Sequence, residues 1–198
     1  MAFAKPTLTL KTKACRVLFE CWLEGRGSAL LPKRSDIGPA ALKEILPQVE
    51  IIEIRAPNVA IVRLAGTAYR YMFGLELTGR NLVDLSIGEL GRQGAYRNYV
   101  SAHQPCGRHA ELSFVYSAGG EDSFEYLSLP LAAAGPGEPP LLLVAMASLL
   151  GRRWENTVVP HIAGNPGDFS RFVDIGAGVP ASLDPPADFM ISDAAAVP

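Results

Sequence analysis

Cysteine is scarce in this chain: Cys15, Cys21 and Cys106 are the three present, with no C-x-x-C pair among them. An odd, sparse set excludes a disulfide framework and reads as free thiols. Long apolar runs are missing too. Leu141 to Leu150, interrupted by Ser148, falls far short of the roughly 18–20 residues that a membrane helix needs. The opening MAFAKPTLTLKTK spreads its lysines through a polar, proline-broken stretch without an apolar centre, so no secretory signal is expected there. The expected location is cytoplasmic, with no membrane partner. Charge of one sign is not in excess either, because 18 Lys+Arg stand against 20 Asp+Glu for a formal charge of −2. No net field would gather nucleic acid.

The 198 residues are 48% hydrophobic and 19% charged, which fits a globular chain of one domain with appended segments. G-x-x-x-x-G-K-[ST], G-x-S-x-G, H-E-x-x-H and G-x-G-x-x-G are all absent, which removes the usual phosphate cradles and hydrolase elbows. No internal repeat is visible.

Periodicity supplies the elements. From Lys13 to Glu24, Lys13, Arg16, Glu20 and Glu24 share one helical face, and Cys15, Leu18, Cys21 and Trp22 the other. Gly25 and Gly27 are expected to stop this amphipathic helix, and a short second helix is expected over Ala40 to Leu46, closed by Pro47. Val49 to Arg55 and Val59 to Ala65 are β-branched-rich and flank Pro57-Asn58, which predicts an antiparallel hairpin. Thr67 would cap a short helix over Ala68 to Phe73, ended by Gly74 in a left-handed turn, and another short helical segment is expected within Gly79 to Ser86. Glu89 to His103 reads as the longest later helix, with Tyr96, Tyr99, Val100 and His103 as its inward stripe. Period two then sets in, with Ala110, Leu112, Phe114 and Tyr116 alternating along His109 to Ser117. Gly119-Gly120 turns into a strand over Asp122 to Leu129, and Leu141 to Leu149 has the continuous apolar character of a central strand.

His103, Cys106 and His109 have an H-x-x-C-x-x-H spacing that could place three ligands on a zinc ion, or a base beside a thiol. The plain alternative is a surface loop between helix and strand, and no fourth ligand is adjacent. His109-Ala110-Glu111 lacks the following P-C-x-x-C of zinc deaminases. Arg63, inside a strand, needs a partner if it is buried.

Arg63-Leu64-Ala65-Gly66-Thr67, followed by Phe73-Gly74-Leu75-Glu76-Leu77-Thr78-Gly79-Arg80-Asn81-Leu82-Val83-Asp84-Leu85, resembles the PAS domain signature F-G-x-x-x-x-G-(R)-x-x-x-(D)-L. With Leu31-Pro32-x-Arg34-x-Asp36 and Leu46-Pro47-x-Val49 upstream, the chain is similar to a family of short, stand-alone PAS proteins of alphaproteobacteria over residues 13–152. The resemblance implies an α+β fold: a PAS-like five-stranded antiparallel sheet with helices over one face, preceded by the N-terminal amphipathic helix. Residues 1–12 would be an N-terminal tail and 153–198 a Pro/Gly/Ala-rich C-terminal tail with little regular structure and weak contact with the domain.

Ligands in that fold sit between sheet and helices, which points to Tyr69, Phe73, Tyr96, Tyr99 and His103 as candidate ligand-binding residues. Gly79-Arg80-Asn81 is similar to the start of the flavin photosensor motif, but Leu82 replaces its reactive cysteine. With no second haem ligand to join His103, no cofactor, and no metal, is expected. No output segment is recognisable after residue 152, so a signal would leave through a partner protein. The expected function is a non-enzymatic sensory or regulatory module that binds a small molecule, a signalling partner, or both. A pure adaptor with a filled core and a small Cys/His enzyme are the alternatives. The apolar Leu18 and Trp22 must be covered, either by the chain's own sheet or by the same helix of a second chain; a homodimer with both residues at or near the interface is the expectation.

Overall fold

The computed structural model describes residues 3, 6–85, 88–116, 121–151, 162–164 and 169–189. Thr12 caps the first helix, its hydroxyl accepting from the Cys15 amide at 3.3 Å, and α1 runs over Lys13–Arg26. It passes through Gly25 and ends at Gly27, whose φ of 52° takes the chain out of the helix. The expected helix over Ala40 to Leu46 is instead a run of turns, with a 3₁₀ turn over Leu46–Gln48. Its amides reach back three residues, Lys43 to Ala40 and Ile45 to Leu42, and Pro47 leaves no room for a second α-turn.

Strands β1 (Val49–Ala56) and β2 (Val59–Ala65) form the expected hairpin, with an extra residue at Arg63 where the register shifts. Helix α2 (Thr67–Phe73) follows, ended by Gly74 at φ 67°. Thr67 is the first helical residue and Gly66 the cap, because Gly66 must pass close to the backbone of Leu46 and Pro47. A 3₁₀ turn over Leu82–Leu85 leads to α3 (Gly88–His103). Strands β3 (Gly107–Tyr116), β4 (Glu121–Leu131) and β5 (Leu141–Ser148) complete the predicted five, all paired antiparallel in the order β2-β1-β5-β4-β3. The apolar β5 lies at the centre, as its composition predicts. The Gly119-Gly120 turn and the side chain of Tyr116 lie outside the described residues.

The C-terminal segment corrects the expectation of a loosely attached tail. Two further strands, β6 (Ile162–Gly164) and β7 (Phe169–Val173), pair with β3, so the sheet has seven strands among the described residues. Ile175 is completely buried in the core and Phe189 packs against α3. Strand pairing on an open edge satisfies main-chain groups whatever the side-chain pattern, which is why composition misjudged this segment.

The sheet is covered on both sides. One face carries α2 and α3 over Ile52, Val62, Phe124, Val144 and Met146. The other carries α1 over Val49, Ile51, Leu127, Leu129 and Leu143. Leu18 and Trp22 are 0% exposed there, and the Trp22 indole donates to the Pro130 carbonyl at 2.8 Å. This corrects the interface expectation: the chain's own sheet covers the two residues and leaves no surface of theirs for a second copy. No helix among the described residues is long and apolar enough to cross a membrane.

Candidate functional site

Small residues set the site. On α3 a step of 100° per residue puts Gly91, Ala95, Ala102 and Ser101 on one side, and these are buried toward the sheet. Without bulky side chains this side of α3 leaves a gap beside Gly94, Ala95 and Asn98. The gap is a cavity of about 220 Å³ lined by Ala60, Phe73, Leu77, Leu82, Ala95 and Asn98, with Val83, Leu85 and Gly94 completing the wall. Its volume is below the roughly 300–1,000 Å³ of drug-sized sites.

Asn98 is the polar group in an otherwise apolar lining. Its Oδ1 accepts long hydrogen bonds from the Tyr126 hydroxyl at 3.5 Å and from Arg108 Nη1 at 3.4 Å. Arg108 lies over the Tyr126 ring at 4.8 Å and donates to Ser170 on β7. Burial raises the Tyr126 hydroxyl above the usual phenol range, and Arg108 works against that.

The polar row continues across the sheet. Cross-strand pairing sets Arg108 opposite Ser128, Ser128 opposite Val144 and Val144 opposite Glu50. Glu50 alternates with Ile52 and Ile54 onto the face that carries α2 and α3, 4% exposed, and its Oε1 has no partner among the described residues. Burial pushes its carboxyl up to about 8. Tyr69, also buried with an unpartnered hydroxyl, is raised by burial first and by the Glu50 carboxylate second.

The candidate ligand residues fall into two groups. Tyr69 and Phe73 stack at 6.3 Å over the sheet, and Phe73 also meets Phe114 edge-on. Tyr96 and His103 turn away from that pair, and Tyr99, at the border, packs partly against the core while it stacks on His103 at 4.1 Å; Phe189 covers Tyr96. Phe73 alone of the five lines the cavity. The tyrosine stripe exists, but it turns to the C-terminal segment, because the small-residue side of α3 is the one that fits against the sheet.

His103, Cys106 and His109 are each engaged elsewhere. His103 is exposed and bonds the Tyr99 carbonyl, while His109 is buried on the α1 side against Glu125 at 3.0 Å. Burial, helped by Asp174, pushes the Cys106 thiol up to about 12, far from a nucleophile's range. Among the described residues no three His, Cys, Asp or Glu side chains gather as a metal site. Arg63 is solvent-facing, 3.7 Å from Glu53.

Asn98, Arg108, Tyr126 and Glu50 escaped the sequence reading. Glu50 did leave a signal: Glu50 and Glu53 are three apart in an isoleucine-rich strand, so they must face opposite sides of the sheet. Asn98 left none.

A family model described as a PAS domain matches residues 10–146 of the chain. No curated protein matches. Among solved structures, an RNA-binding light-oxygen-voltage receptor aligns at 15% identity with a TM-score of 0.42, over 74% of this chain and 38% of that one. The chain therefore spans well under half of that receptor's length.

Proposed function

This chain belongs to the PAS domain family, and from that premise we propose that it is a non-enzymatic regulatory module whose cavity beneath α3 holds a small, mostly apolar ligand. A PAS domain of this kind is a sensory or signalling module. The observation that carries the ligand reading is the 220 Å³ cavity with one polar side chain, Asn98, in an apolar wall. Such a lining favours a compact apolar body with a single hydrogen-bonding end, since a second polar group would be desolvated without a partner. Occupancy would act on α3, which supplies Gly94, Ala95 and Asn98, and through it on a partner protein.

The test is native mass spectrometry of the protein purified from its own host. A retained small molecule is expected in the wild type, and its loss in Gly94→Leu, a position where a Cβ meets nothing within 4 Å. A host-purified protein without any bound mass would favour the adaptor reading instead.

A further inference from the structure

The side of α3 opposite the cavity holds residues 183–189 by main-chain atoms. Arg97 Nε donates to the Leu183 carbonyl at 3.0 Å, Arg92 Nε donates to the Phe189 carbonyl at 3.0 Å, and Arg92 Nη2 donates to the Pro186 carbonyl. The arginines are themselves braced along the helix, Arg92 by Glu89 at 3.3 Å and Arg97 by Gln93 at 3.2 Å. The side-chain anchor is one ring: Phe189 meets Tyr96 edge-on at 5.1 Å and Tyr99 at 6.4 Å. The Arg97 to Asp184 pair, at 3.8 Å with Asp184 exposed, adds little.

The held segment bends at 183–184 and closes a turn in which the Phe189 amide donates to the Pro186 carbonyl at 2.9 Å, and Pro185-Pro186 lowers the entropy lost on docking by fixing φ beforehand. Braced guanidinium donors for the carbonyls of such a turn, with an aromatic slot at one end, select a backbone shape and one ring. We propose that this face of α3 is a docking surface for a proline-containing protein segment that turns, as residues 186–189 do, to bring an aromatic residue against the helix. Residues 183–189 fill it in the isolated chain, and a partner protein's segment of the same chemistry takes their place. The cis segment hangs from β7 by residues 174–182, so its effective concentration is on the order of millimolar. A partner must bind more tightly than that, which makes the strap a threshold as well as a mimic.

The test uses the full chain and a labelled peptide with the sequence of residues 181–189. Phe189→Ala should open the site and bind the peptide with a Kd at least tenfold below that of the native chain. Adding Arg92→Ala and Arg97→Ala, or replacing the peptide's phenylalanine by alanine, should remove that gain. Equal affinity for the two chains, or none for Phe189→Ala, overturns the proposal. If Phe189→Ala does not stay folded, the native chain decides: about 10 mM unlabelled peptide should speed amide exchange in residues 183–189 several-fold, and unchanged exchange overturns the proposal.

Discussion

Glu50 places a carboxylate among isoleucines with no cation beside it among the described residues, and its chemistry is that of a group held neutral by its surroundings. Its folded pKa of about 8 lies above the unfolded value of 4.5, so the stability it permits is complete below pH 4.5 and is lost as pH rises through 8. The shift corresponds to about 5 kcal/mol. Glu50→Gln keeps the shape without the ionisation, and urea denaturation should find it several kcal/mol more stable than wild type at pH 9 and close to equal at pH 4.5. A gain of the same size at both values would mean that packing, not charge, decides. Gly66 is constrained in another way: its φ of −67° suits any residue, but an added Cβ would stand 2.2 Å from the Leu46 carbonyl and 2.3 Å from that of Pro47. Gly66→Ala should therefore cost at least about 2 kcal/mol by denaturant midpoint, through a backbone clash and not through lost conformational freedom.

At the scale of elements, α1 is fastened to the sheet by Glu125. Its carboxylate accepts from the Lys11 amide at 2.8 Å, the Thr12 amide at 2.6 Å, the Thr12 hydroxyl at 2.7 Å and His109 at 3.0 Å. Burial works to raise this group, but the hydrogen bonds from His109, Lys11 and Thr12 outweigh it and hold the carboxyl down at about 2. The sign is opposite to that of Glu50: the stabilisation is present above pH 4.5 and is lost as pH falls toward 2, about 3 kcal/mol in all. Amide exchange in residues 16–26 should accelerate between pH 4.5 and 2 before that of β4 and β5, after correction for intrinsic rates. Glu125→Gln should produce the same loosening at pH 7. If α1 and the central strands lose protection together, the helix is not a separately released element.

The whole molecule combines these two titrations. Stability should peak at mildly acidic pH, near 5, with Glu125 shaping the acid limb and Glu50 the alkaline one. Thermal unfolding from pH 3 to 9 checks this: Glu50→Gln should flatten the alkaline limb and leave the acid limb, and Glu125→Gln should do the reverse. A maximum near pH 8 in the wild type would overturn the assignment of Glu50. The double-faced core explains why both groups matter globally, since each is buried at a different layer of one sheet.

The order of helices and strands was legible in the sequence because it depends on short-range periods and on residues that punctuate them. Pro57-Asn58 turns the first hairpin and Gly74 ends α2. The continuous apolar run of β5 carries its central place in its composition. The apolar face of α1 likewise announced that it must be covered. What covers it was decided only in three dimensions, since a sheet face and a second helix bury Leu18 and Trp22 equally well and leave the same pattern in the chain. The tyrosines of α3 show the same limit: the stripe of Tyr96 and Tyr99 is read from spacing, but whether it meets the sheet or Phe189 depends on which side of the helix packs more closely. Strand β7 had the faintest trace of all, because it is held by main-chain pairing to β3, and backbone hydrogen bonds carry no side-chain signature.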